Sequence, residues 1–147
     1  MKYMFNIKAL FIFALVAGFI PLIGAGCSTG VAASPAIINK VIDTQAAYDM
    51  IHGNRDNHNF VILDVRTEEE FNSGHIAEAI VIDYYLPDFK TRVGELDRNK
   101  KYLVYCRTAR RSGEAAIIMK DLGFSEVYEM AGGITRWNSG GLPVVKN

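Results

Sequence analysis

Cys106 is followed by Arg107-Thr108-Ala109-Arg110-Arg111-Ser112-Gly113, which places three arginines within five residues of a thiol. Guanidinium groups beside a thiol favour its ionised form. The unpaired N–H groups and macrodipole of a helix start do the same, and in such settings a thiol pKa of about 8.5 falls to about 3.5–7.5. The thiolate is the nucleophile. The same positive field draws in an anionic substrate, so one loop can both activate the attacking group and collect what it attacks. Arg107 and Arg110 lie inside the loop and are the candidates for contact with an anion, while Arg111 can brace the loop from its end. A solvated basic turn after a strand that ends in a buried Cys also fits this segment.

The elements around the loop decide where the thiol stands. Residues 102–105 are apolar and read as a strand leading into Cys106, and helical spacing resumes over 112–122, with Gly123 as its stop. Upstream, 37–42 reads as a short strand. Asp43 or Thr44 caps a helix to His52 whose apolar positions are Ala46, Ala47, Met50 and Ile51. The run 60–63 suits a strand covered on both faces, and Thr67 followed by Glu68, Glu69 and Glu70 starts a short helix with Phe71 inward and the glutamates solvated. A strand is expected at 79–82, a helix at 88–96 and a strand at 126–129. A helical turn from Gly132-Gly133 through Trp137 and a tail at 142–145 complete the chain. Short buried strands alternating with helices predict an α/β domain with a mostly parallel central sheet and helices on both faces. Such sheets bind ligands beyond the carboxyl ends of their strands, which is where Cys106 falls.

Four blocks resemble the rhodanese domain. They are Leu63-Asp64-Val65-Arg66 with Glu70-Phe71, Gly74-His75-Ile76 with Ala79-Ile80, the loop from Cys106 to Ser112, and Gly132-Gly133-Ile134-Thr135-Arg136-Trp137. They occur in the family's order, and the resemblance covers 37–145. It implies a rhodanese-like sulfurtransferase in which Cys106 takes a sulfane sulfur from an anionic donor such as thiosulfate. The resulting persulfide is held by the backbone of Arg107, Thr108, Ala109, Arg110 and Arg111, and the sulfur passes to a thiol or a cyanide-like acceptor. No metal and no organic cofactor is implied. A sulfur carrier that serves a protein partner, with little turnover of small molecules, is the other function open to such a domain. Two departures from the family pattern stand out. Ala109 occupies a loop position that is commonly Gly, which either alters the cradle or means the position is not left-handed. Glu78 and Val81 replace a Gly and an Asn at a structural turn. Related phosphatases and arsenate reductases place an Arg after five intervening residues, where it clamps a tetrahedral oxyanion. Here Ser112 stands at that position and Arg111 comes one residue early, so the loop is sized for a single sulfur.

Asp64 and Arg66, at a strand end, either line or brace the site or form an ion pair that only holds the turn. His75 reads as a packing or turn residue, His52 and His58 as surface residues without metal-like spacing, and Trp137 as a core residue covering the sheet edge, with the rim of the pocket as its alternative.

The chain has 147 residues, half of them hydrophobic, which leaves room for one domain after a leader is subtracted. Lys2 and Lys8 precede an uncharged run at 9–26, and small residues then lead to Cys27, the order of an export signal. The expectation is a lipoprotein-like signal over 1–27 with Cys27 lipidated, a linker at 28–36 and the rhodanese domain at 37–145. Cleavage at an ordinary signal-peptidase site whose small-residue pattern is Val31 and Ala33, giving a soluble exported protein, or retention of the run as an anchor, are the alternatives. The protein is thus expected in the cell envelope or periplasm, touching membrane only through its signal or lipid. With Cys27 consumed or removed, Cys106 is the sole thiol of the mature domain and has no partner for an internal disulfide. Of 16 basic residues, 14 remain beyond the leader against 16 acidic ones, a balance that argues against nucleic acid as a partner.

Overall fold

The computed structural model describes residues 38–146; the expected leader, the linker and Cys27 lie outside the described residues. Among the described residues, no helix is long and apolar enough to cross a membrane. In chain order the elements are β1 (Ile38–Ile42), α1 (Thr44–Gly53), β2 (Phe60–Asp64), α2 (Glu68–Asn72), β3 (Ile80–Val81), α3 (Phe89–Gly94), β4 (Lys101–Tyr105), α4 (Arg110–Asp121), β5 (Glu126–Met130) and α5 (Gly133–Ser139). The strands form one sheet in the order β1-β5-β4-β2-β3, and every pairing is parallel.

Alternation along the strands divides the core into two layers. Ile62, Leu103, Tyr105 and Met130 face Ala47 of α1 and Ile134 and Trp137 of α5. Leu63, Val104 and Val127 face Phe89 and Val93 of α3 and Ala115, Ala116 and Met119 of α4. Leu63 and Leu103 are fully buried, each burial stabilising the fold by about 1.5–3 kcal/mol, and their continuous apolar surroundings explain why β2 and β4 occupy the middle of the sheet.

The helix starts follow from their caps. Asp43 accepts the Ala46 N–H at 2.8 Å, which fixes the start of α1. Thr67 and Glu70 form a reciprocal capping box at α2, with Phe71 buried as expected. Several boundaries differ from the expectation. The helix anticipated at 112–122 begins at Arg110, because Ala109 turns the chain with left-handed backbone immediately before it. The strand anticipated at 79–82 is Ile80–Val81, since only those two residues pair with Leu63 and Asp64 before the chain turns at Asp83, whose carboxylate accepts the Tyr85 N–H. The helix anticipated at 88–96 is Phe89–Gly94, with no side-chain cap at Asp88. Ala46, expected on the apolar face of α1, is exposed, while Tyr48 packs against the core beside Trp137.

Neighbouring strands β2 and β4 send the chain in opposite directions, β2 toward β3 and β4 toward β5. A sheet of this kind opens a crevice where such connections diverge. Asp64 ends β2 and Cys106 follows β4, so both loops border it.

Candidate active site

Cys106 lies at the floor of a pocket of about 290 Å³ whose other lining residues are Glu70, Tyr85, Arg107, Thr108, Arg110 and Arg111. The loop above β4 is shaped from behind. The N–H of Ile134 donates to the Cys106 carbonyl at 2.9 Å and that of Thr135 to the Arg107 carbonyl at 3.1 Å. Gly133 has φ of 57°, and a Cβ there would sit 2.3 Å from the Cys106 carbonyl oxygen and 2.6 Å from that of Arg107, so only glycine fits. With its first two carbonyls tied to the start of α5, the loop turns N–H groups toward the sulfur. The Cys106 sulfur accepts from the backbone of Ser112, Thr108 and Ala109, and from the Ser112 hydroxyl at 3.5 Å. Burial pushes the thiol up, yet these four donors together outweigh it and bring its pKa below the ordinary value.

Ala109 adopts φ of 85° and ψ of −17°. The position is therefore left-handed, and of the two meanings open for the Ala substitution, a non-left-handed position is the one that falls. The Cβ there costs about 1–2 kcal/mol that glycine would not incur.

The three arginines divide their work. Arg111 is buried, and its two terminal nitrogens donate to the Glu70 carboxylate at 2.7 and 2.8 Å while its guanidinium lies 5.1 Å from the Tyr85 ring centre. The paired hydrogen bonds of Arg111 hold the Glu70 carboxyl down to about 2. Arg110 is exposed and shared between Glu114 at 3.4 Å and the Tyr85 hydroxyl at 3.1 Å; Glu114 also accepts from the Tyr84 hydroxyl. Arg107 is exposed and its guanidinium has no partner among the described residues.

The profile of the rhodanese-like domain matches residues 43–140. The chain belongs to the rhodanese-like family. A sulfurtransferase of Allochromatium vinosum is 30% identical over 90 residues, covering 61% of this chain and 82% of that protein. A putative sulfur carrier protein of Bacillus subtilis is 37% identical over 76 residues, which is 52% of this chain but only 40% of the carrier. Among solved structures, a rhodanese-related protein of Thermoplasma volcanium superposes with a TM-score of 0.62 at 30% identity, covering 74% of this chain and 99% of that one. Sulfur handling is the chemistry of this rhodanese domain in general terms, with a buried Cys in the active-site loop.

Other residues singled out in the sequence stand behind the rhodanese pocket or away from it. Arg66 and Asp64 are buried and joined through three side-chain contacts of 2.6–3.0 Å; the Arg66 N–H also donates to Asp64, and the Arg66 side chain donates to the Gly74 carbonyl at 2.8 Å. The pair lies outside the pocket lining and ties the end of β2 to the Gly74 turn. Glu78 has φ of 65°, so the structural turn at which it replaces a Gly is left-handed. His75 is buried, stacked on Phe71 and hydrogen-bonded through Nδ1 to the Phe71 carbonyl. His52 and His58 are exposed. Trp137 is buried, its indole N–H donating to the Pro143 carbonyl at 3.0 Å.

Three groups near the sulfur escaped the sequence reading. Glu70 reads as part of a solvated run, although the spacing from Thr67 to Glu70 is that of a capping box and singles it out. Tyr85 enters the pocket wall by way of the turn after β3. Glu129 of β5 is buried and accepts the Ser112 hydroxyl at 2.7 Å; its place two residues after the buried Val127 puts it on the inward face, a signal present in the alternation of EVYEM.

Proposed function

We propose that this domain is a sulfurtransferase that carries sulfane sulfur on Cys106, taking it from a small anionic donor such as thiosulfate. The carrying observation is the sulfur itself, held under three backbone N–H groups and a hydroxyl at the floor of an arginine-lined pocket. The Cys106 thiolate attacks the outer sulfur of thiosulfate, the S–S bond of the donor breaks, and its electron pair leaves with sulfite. Cys106 keeps the sulfur as a persulfide, whose terminal sulfur takes over the N–H donors that held the thiolate. A thiol or cyanide then attacks that terminal sulfur, and the electron pair of the Cys106 S–S bond returns to regenerate the thiolate. Arg107, whose charge is uncommitted, meets the donor's oxyanion; Arg110 supports it from the rim, and Arg111 with Glu70 keeps the loop in place. The Asp64–Arg66 pair braces the neighbouring strand end. The test is intact mass after exposure to thiosulfate, mercaptopyruvate or polysulfide. A gain of one sulfur that cyanide removes is expected, and a chain that gains none from any donor overturns the reading.

The likeness to a putative sulfur carrier favours a second reading, in which the persulfide is delivered to a protein. Tyr85, which lines the pocket and has 59% of its surface exposed, and the next residue, Leu86 at 42%, offer apolar surface for such a partner. A persulfide that forms readily but is discharged slowly by cyanide and small thiols would select this reading over the first. We propose that either chemistry takes place in the cell envelope, with Cys27 lipidated; the basic start and uncharged run of the leader support this reading. Fractionation, together with fatty-acid labelling that is lost in Cys27→Ala, tests that placement.

A further inference from the structure

Two carboxyl groups are buried among the described residues, and they differ in company. Asp64 has Arg66. Glu129, with 4% of its surface exposed, has no cation and hydrogen-bonds to the fully buried Ser112. The Ser112 hydroxyl carries a single proton but has three acceptors in reach: the Cys106 sulfur at 3.5 Å, the Ala109 carbonyl at 3.1 Å and the Glu129 carboxyl at 2.7 Å. It cannot serve all of them well, and what Glu129 does with its own proton decides the outcome.

We propose that Glu129 is a positioning residue that sets the Cys106 thiolate by directing the Ser112 hydroxyl. In its neutral form Glu129 donates its acid proton to the Ser112 oxygen, which frees the hydroxyl proton for the Cys106 sulfur. In its ionised form it accepts the Ser112 proton, and the thiolate then loses a donor and gains a like charge one hydroxyl group away. The neutral form is the one the surroundings favour, because burial raises the Glu129 pKa further than the Ser112 hydrogen bond lowers it.

The elements packed on Glu129 supply no competing charge. From β1 it is flanked by Val41, and Lys40 pairs with Tyr128 on the opposite face; from β4 its register partner is Val104. From α4, Arg110 and Arg111 are engaged by Glu114 and Glu70. Cys106 is the titratable group to which Glu129 is linked, so the two ionise as a pair.

This inference rests on Cys106 being the sulfur nucleophile, but its test uses no sulfur donor, so the two can fail separately. In a full chain carrying Cys27→Ser, Cys106 is the only thiol, and its thiolate absorbance is followed from acid to mildly alkaline pH. The parent should titrate over a broadened range. Glu129→Gln, whose amide N–H imitates the neutral acid, should sharpen the curve and bring its upper limb down by about one unit. In a Ser112→Ala background the same substitution should have little effect. Superimposable curves for parent and Glu129→Gln, or an equal shift without Ser112, overturn the proposal. Infrared spectra of the unsubstituted Glu129 site decide the matter if Glu129→Gln does not fold. The protonated-carboxyl band and the S–H band should fall together over one shared pH range, whereas complete loss of either band before the other begins to fall overturns the proposal.

Discussion

The loops after β2 and β4 leave neighbouring strands at the same edge of the sheet, and both hold a buried arginine engaged by a carboxylate. After β2 the pairing is local and closed: Arg66 and Asp64 are two residues apart and bind each other and the Gly74 carbonyl. After β4 the buried Arg111 finds its carboxylate 41 positions away at Glu70, and the backbone N–H groups it leaves in place converge on a sulfur. One loop uses its donors to hold structure. The other has its carbonyls tied back by α5 and so keeps its donors for an anion. A buried cation therefore marks a site of chemistry only where the backbone beside it remains uncommitted.

The strongest break of this comparison is Cys106→Ser. The Ser hydroxyl stays protonated near neutral pH, so sulfur transfer should be lost altogether while the circular dichroism spectrum matches the parent. Arg66→Ala should do the reverse. It strands the buried Asp64 carboxylate and should cost about 3–5 kcal/mol in urea unfolding, while the fraction that remains folded still takes up sulfur. Glu70→Gln tests the longer pairing and should destabilise by about 1–3 kcal/mol at neutral pH. The sign of its pH dependence follows from the low Glu70 pKa. Its stabilisation is fully present above the ordinary carboxylate range, near 4.3, and is lost as pH falls through about 2. Urea midpoints of parent and Glu70→Gln should therefore converge between those limits, and parallel midpoints down to pH 2 would show that the pair adds nothing. The smallest effect is expected from Ala109→Gly, which relieves the left-handed Cβ and should raise stability by about 0.5–1 kcal/mol, read as a higher urea midpoint.

The contrast between the loops also explains what the sequence could show. The runs FVIL and YLVY announce buried parallel strands because both faces are covered, and the position of Cys106 follows from the strand that precedes it. Asp64 and Arg66 are legible as a pair because they are two residues apart. Glu70 and Arg111 are not, since no local pattern connects residues from two different helices. The start of α4 is not legible, because it depends on the left-handed backbone of Ala109, a residue whose own preference is for right-handed helix. Glu129 could be found only by trusting the strand alternation over the usual expectation that a glutamate faces water.

Gly133 meets the carbonyls of Cys106 and Arg107 from 27 and 26 positions further along the chain. During synthesis the loop thus emerges before the part that shapes it. Until the Gly132-Gly133 turn has docked, Cys106 lacks the arrangement of donors that favours its thiolate, and the nascent chain carries an ordinary thiol. Thiolate reactivity therefore depends on the docking of that turn, so a chain in which it has not yet formed is a poor target for stray oxidants and electrophiles, and the folded domain a better one.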